Sequence, residues 1–231
     1  MKERNAYRSG RLTARTLPKT ASGKFAAGVH TLPLNSGKPA LLYVPATKPE
    51  ASSLSLVVLL HGAGGTAAQG LSLLRDHADA NGVLILAPSS QDYTWDLLAG
   101  DAFGPDVILF DSALAYLFEH FEINASLAIG GFSDGASYAL CIGLTNGDLF
   151  THIIAFSPGF YHTRETHGRP AVFISHGTRD DVLPIDPCSR RIVPKLRREG
   201  IEAAYREFNG RHEIPHSISA EAIQWFTGSN T

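Results

Sequence analysis

The sequence predicts an α/β domain: a mostly parallel central sheet with helices on both faces. Three observations carry this expectation. Short apolar segments alternate with helical ones along most of the chain, the pattern of repeated strand-helix-strand units. One segment, residues 54–60, is a nearly unbroken apolar, branched run, which is how a parallel strand buried on both faces reads. Gly131-Phe-Ser-Asp-Gly135 stands between the apolar run 126–129 and the helical stretch 136–144, so strand, sharp turn and helix meet at Ser133.

With 231 residues, 44% of them hydrophobic, the chain suits one large domain better than two. Its 20 basic and 22 acidic side chains nearly balance, so no global field points to nucleic acid or to an anionic membrane. The distribution is uneven. Residues 1–24 hold seven basic side chains against the single acid Glu3, a local net charge of +6. That segment lacks an apolar run, which excludes a secretory signal or a transmembrane span there, and reads as an extended basic arm preceding a domain over residues 25–231. Cys141 and Cys188 have no metal-ligand spacing, and two cysteines fit buried thiols in a reducing cytoplasm better than a disulfide scaffold.

The elements follow in order. Residues 29–34 and 39–44 flank the polar turn Asn35-Ser-Gly-Lys38 as an antiparallel hairpin. After the strand 54–60, a helix is expected from the N-cap Thr66 to Asn81-Gly82. Residues 83–87 form a strand and 89–104 a long loop with Trp95 and Phe103. Val107, Phe110, Asp111, Leu114, Leu117, Phe118 and Phe121 then recur at helical spacing with one polar member. Strands are expected at 152–156, 171–175 and 203–208. Between the last two, Asp186-Pro187 reads as a helix start, Pro194 as a kink and Glu199-Gly200 as a stop; a final helix spans about 220–226.

In such a sheet ligands bind beyond the carboxyl ends of the strands, and the chemically capable groups fall there. His61-Gly62 ends one strand, Ser133 another; Asp180 follows the strand ending at Ser175, and His212 the strand ending at Phe208. A serine lifted out by a glycine-flanked turn, a carboxylate to fix an imidazole and an imidazole to take the hydroxyl proton make a nucleophile, acid and base in the chain order Ser, Asp, His. Leu60-His-Gly-Ala-Gly-Gly65, Gly131-Phe-Ser-Asp-Gly135, His176-Gly-Thr-Arg-Asp-Asp-Val-Leu-Pro184 and Gly210-Arg-His-Glu-Ile-Pro215 together resemble the α/β-hydrolase superfamily, and within it the phospholipase/carboxylesterase-like esterases. The resemblance runs from about Leu41 to Phe226. It implies an α/β-hydrolase fold with no large cap domain and a serine esterase with Ser133, Asp180 and His212 as its catalytic set. It also implies an oxyanion hole from the backbone N–H groups of Ala63 and Asp134. Arg211 departs from the pattern, since these relatives often carry glycine before the histidine.

Gly64, Trp95, Phe160 and Leu183 are candidate pocket residues, and His61 is read as a structural tie for its turn. The expected substrate is a small-molecule carboxylic ester of short to medium acyl chain or with a small aromatic group. No cofactor and no metal are expected, nor stable membrane insertion; assembly into an oligomer is compatible with the composition. Two rivals remain at this point. An α/β-hydrolase fold can serve as a non-catalytic ligand-binding protein. His212-Glu-Ile-Pro-His216 also matches the zinc-peptidase pattern H-E-x-x-H, although Pro215 sits badly inside the regular helix that pattern needs.

Overall fold

Apolar periodicity resolves into one eight-stranded sheet in the computed structural model, which describes residues 7–16, 25–35, 37–46, 54–100 and 102–228. The strands are β1 (Gly28–Thr31), β2 (Ala40–Val44), β3 (Leu54–Leu60), β4 (Val83–Pro88), β5 (Ile123–Phe132), β6 (His152–Phe156), β7 (Ala171–Gly177) and β8 (Ala203–Phe208), in the spatial order β1-β2-β4-β3-β5-β6-β7-β8. The β1–β2 and β2–β4 pairs are antiparallel and all others parallel. The expected hairpin is therefore the antiparallel edge.

The helices are α1 (Ala67–Ser72), α2 (Arg75–Asn81), α3 (Asp96–Gly100), α4 (Pro105–His120), α5 (Asp134–Thr145), α6 (Ser189–Arg198) and α7 (His216–Gly228). Side chains alternate across a strand, and β3 shows the result. Leu56, Val58 and Leu60 join one core cluster with α4, α5 and α6, whereas Val57 and Leu59 join a second with α1, α2 and α7. The sheet is covered on both faces, as its apolar central strands require.

Several boundaries differ from the sequence expectation: the first strand ends at Thr31 rather than at 34, and α7 starts at His216 rather than near 220. The single helix expected from Thr66 breaks in two: Thr66 does cap α1, accepting from Gln69 N, but the chain turns at buried Leu74 (φ −133°, ψ 2°) before α2 ends at left-handed Gly82. The 89–104 loop contains the short α3. Asp186 does not cap α6, which starts at Ser189; its carboxylate instead pairs with Arg190.

The described part of the basic segment, residues 7–16, lies against the body. Leu12 is buried in the α4/α5 cluster. Its N–H donates to Asn146 Oδ1 at 2.9 Å, and Asn146 Nδ2 donates back to Gly10 O at 2.8 Å. Thr13 N and Ala14 N both donate to Asp111 Oδ1 at 2.7 Å, which accounts for the one polar member of the apolar stripe on α4. Arg11 and Arg15 pair with Asp148.

Backbones pack closely where β3, β5 and α5 meet. A Cβ on Gly135 would collide with the carbonyl oxygens of Leu60 and His61, 2.5 Å from the latter, and a Cβ on Gly131 would lie 2.7 Å from Leu60 O. Backbone obstacles cannot rotate away, so Gly135→Ala is expected to cost about 3 kcal/mol or more, lowering Tm by about 6–12 °C. Gly100→Ala, which meets nothing within 4 Å, should leave Tm within about 2 °C. Thermal denaturation of the two variants checks the contrast.

Candidate active site

Ser133 sits between the end of β5 and the start of α5 with φ 57° and ψ −119°, one of two non-glycine residues with positive φ among those described. Such a backbone costs roughly 1–3 kcal/mol and is held from outside. Ser133 N donates to Phe156 O of β6 at 2.9 Å, while Gly131 and Gly135 admit the carbonyls of β3. The turn projects the side chain from the carboxyl edge of the sheet.

Two loops deliver the partners. His212, after β8, places Nε2 2.9 Å from Ser133 Oγ and Nδ1 2.6 Å from Asp180 Oδ2. Phe132 packs on the imidazole, with ring centroids 4.6 Å apart. Asp180, after β7, is buried and turns its other oxygen, Oδ1, to the N–H groups of Val182 (2.9 Å) and Leu183 (2.8 Å). Burial pushes the Asp180 carboxyl up, but the bonds from His212 and from the Leu183 and Val182 amides outweigh it and hold the group below the usual carboxylate range. The neighbouring Asp181 is exposed and pairs with exposed Arg211. Ser133, His212 and Asp180 are thus brought together, as the sequence expected.

The turn after β3 lies beside this group. His61 is buried; its Nδ1–H donates to Gly62 O at 2.7 Å and its Nε2 accepts from Ser90 N at 3.0 Å, while burial lowers its pKa and keeps it neutral. It ties the turn down, as expected. Gly64 (φ 67°) and Gly65 direct their N–H groups to Tyr93 O and Gly62 O, whereas the Ala63 N–H makes no internal bond among the described residues. The Asp134 N–H opens α5 and has no preceding turn to receive it. Next to Asp134 a groove of about 530 Å³ is lined by Thr94, Leu97, Leu98, Asp134, Phe160 and His162.

The model of the family described as "Putative esterase" matches residues 111–191. The solved structure of esterase PE8 is 26% identical, covers 81% of this chain and 98% of its own, and superposes with a TM-score of 0.66. This chain has the α/β-hydrolase fold and is a carboxylic ester hydrolase. The esterase has the same fold as a CE1 ferulic acid esterase from Anaeromyces mucronatus (20% identity, 96% of this chain and 100% of that one, TM-score 0.67). It also shares the fold of an S-formylglutathione hydrolase from Agrobacterium tumefaciens (16% identity, 90% and 98%, TM-score 0.66). A search of curated protein sequences finds no match.

Within the esterase, the candidate pocket residues separate. Phe160 lines the groove. Trp95 does not: it is fully buried, stacked on Tyr138 with centroids 5.4 Å apart, and its Nε1–H donates to His61 O at 3.0 Å. The indole buttresses the turn from behind, because its large apolar surface is covered by α4 and α5. Gly64 and Leu183 also lie outside the groove lining; Gly64 packs under the Tyr93 ring and Leu183 lies against Gly159. Sequence reasoning did not single out Thr94, Leu97 and Leu98; the two leucines lie on α3, within a stretch read as loop. His216 opens α7 and packs at a tilt against His77, with ring centroids 4.6 Å apart. Pro215 directly precedes that helix, so the regular helix that a zinc peptidase needs through His212 and His216 is not formed. Among the described residues no group of three or more His, Cys, Asp or Glu side chains could hold a metal.

Buried Asp106 and half-buried Asp96 fix the loop that carries Tyr93, Thr94 and Trp95. Asp106 accepts from Gln91 N (2.8 Å) and Asp96 N (2.7 Å), and Asp96 accepts from Gly104 N, Asp106 N and the Tyr138 hydroxyl. Burial, with the nearby Asp96 charge, pushes the Asp106 carboxyl up to about 6 against the bonds it accepts. A folded-state pKa raised above the unfolded value means that protonation favours the fold. The contribution is fully present below about pH 4 and is lost as pH rises through about 6. Asp106→Asn, neutral at every pH, removes this dependence and adds a constant offset for the disturbed bonds. The Tm difference between parent and variant should therefore change between pH 4 and 7 and stay flat above. Parallel curves throughout would show that Asp106 does not titrate in that window.

Proposed function

We propose that this esterase cleaves its ester through a covalent acyl-enzyme, with Ser133 as nucleophile, His212 as general base and Asp180 as the acid that orients it. The observation that carries the reading is the continuous path Asp180–His212–Ser133 at 2.6 and 2.9 Å. Ser133 Oγ attacks the carbonyl carbon as its proton passes to His212 Nε2, and Asp180 holds the imidazole by Nδ1–H and stabilises the imidazolium. The tetrahedral oxygen is received by the Ala63 and Asp134 N–H groups. Collapse expels the alcohol, which takes the proton from His212. Water then repeats the sequence on acyl-Ser133, releasing the acid.

The groove supports a substrate class. Leu97, Leu98 and Phe160 offer apolar walls, while Thr94, whose hydroxyl donates to Asp134 Oδ2 at 2.7 Å, puts a carboxylate in the same lining. An uncharged short to medium acyl chain or a small aromatic group suits this surface, and an anionic one is repelled. No helix among the described residues is long and apolar enough to cross a membrane, and Cys141 and Cys188 are free and buried, which supports a reducing, cytoplasmic setting. The rival reading as a non-catalytic binder has no use for a base aligned on a serine hydroxyl.

Chromogenic esters of graded chain length test the proposal. Ser133→Ala should lower kcat by at least about 10³-fold with the fold retained, and a fluorophosphonate should label Ser133 alone. Asp180→Asn should cost about 10³–10⁴-fold by favouring the wrong tautomer, whereas Asp181→Asn, which loses only an exposed ion pair, stays within about threefold. Because the base must be neutral to act, kcat/KM should rise with pH from acid solution and level off in mildly alkaline solution. His216→Ala and prolonged chelation should leave activity intact. Near-parental activity in Ser133→Ala, or equal losses in the two aspartate variants, would overturn the assignment.

A further inference from the structure

His176 is a buried imidazole that the mechanism above does not use. It lies at the end of β7, four residues before Asp180, with its side chain wholly out of solvent. Its Nε2 is 2.7 Å from Leu183 O and 3.2 Å from Asp180 Oδ2, and its Nδ1 is 2.7 Å from Ser189 Oγ on α6. A carbonyl can only accept, so Nε2 carries the proton and Nδ1 accepts from the Ser189 hydroxyl. The Nε2–H then faces both Leu183 O and the same carboxylate oxygen that receives His212 Nδ1–H. Burial lowers the His176 pKa, which keeps the ring neutral in this tautomer.

From this geometry we propose that His176 is a positioning residue for the hydrolytic reaction: its Nε2–H holds Asp180 Oδ2 in place for His212, and Ser189 fixes the tautomer that makes this possible. The inference rests on the Ser133-His212-Asp180 reading. Asp180 accepts two amides on Oδ1 and His212 Nδ1–H on Oδ2, and His176 Nε2, whose N–H is bonded to Leu183 O at 2.7 Å, lies 3.2 Å from the same Oδ2. The amides belong to its own loop. His176 is the donor that ties the carboxylate to the sheet and, through Ser189, to α6. The ionisable groups facing the ring are Asp180 and His212 from the two loops and Glu207 on β8, with Cys188 beside Asp180 at the start of α6.

Two variants separate donor from filler. His176→Gln can place an amide N–H near the Nε2 position, whereas His176→Phe keeps a ring and removes the donor. Loss of position at the acid misaligns the base, so His176→Phe should lower kcat about ten- to a hundredfold with KM unchanged. A carboxylate relieved of one donor is more basic and stabilises the imidazolium more, so the acid limb of the kcat/KM profile should move up by about half a pH unit. His176→Gln should stay within about fivefold of the parent with its limb in place. Equal loss in both folded variants, or an unmoved limb in His176→Phe, would overturn the proposal. Should His176→Phe fail to fold, nitrogen-15 spectra of the intact parent labelled at histidine decide. The proposal requires a neutral Nε2–H tautomer for His176 from pH 5 to 9; an Nδ1–H tautomer or titration in that range refutes it. Retained activity in Ser133→Ala would instead refute the underlying mechanism, a failure these spectra do not share.

Discussion

The left-handed backbone at Ser133 is the constraint to which the rest of the molecule answers. No serine adopts φ 57° without help, and the help comes from three strands at once. Phe156 O of β6 takes the Ser133 N–H, β5 supplies Gly131, and the carbonyls of Leu60 and His61 at the end of β3 fill the space that Cβ atoms on Gly131 and Gly135 would need. The elbow therefore exists only where parallel strands β3, β5 and β6 end in register. The His61 carbonyl that presses on Gly135 also receives the Trp95 indole N–H. Elbow and adjacent turn consequently share an anchor, so neither can shift without the other.

Around that anchor the irregular segments are held by buried or, for Asp96, half-buried side chains accepting backbone N–H groups. Asp111 takes the amides of Thr13 and Ala14, Asp106 those of Gln91 and Asp96, Asp96 those of Gly104 and Asp106, and Asp180 those of Val182 and Leu183. A segment without strand or helix partners must satisfy its amides somewhere, and a carboxylate can take two at once while resisting displacement by water. Burial without such donors would be costly for each acid. The arrangement gives loops near the site some of the rigidity that regular structure gives the sheet.

How far this was legible in the sequence depended on whether the determining contacts were local. The elbow, the apolar alternation and the chain order of Ser133, Asp180 and His212 are written in short stretches, and each forms where its pattern implies. Trp95 looked like a pocket wall because an aromatic in a long loop carries no local sign of what covers it; α4 and α5 do, and its N–H finds a carbonyl more than thirty positions away. The break at Leu74 was hidden because the stretch from Thr66 to Asn81 keeps its buried leucines through the turn. His176 stood in a motif already noticed, yet only the fold brings Ser189 and Leu183 O to its two nitrogens.

Asp180 and Asp181 show why residue type alone cannot say which carboxylate holds the imidazole of His212. They are neighbours with the same carboxyl group, and both are held below the usual carboxylate range, but for opposite reasons. Asp181 is exposed beside the Arg211 guanidinium, in a setting where water screens the pair and leaves it worth little. Asp180 has no solvent to rely on, and its charge survives burial only because His212 and two amides outweigh the desolvation. A solvated carboxylate can reorient freely and imposes no direction on an imidazole. One fixed on both oxygens does, and that directional hold, more than the negative charge itself, distinguishes Asp180 from the residue beside it.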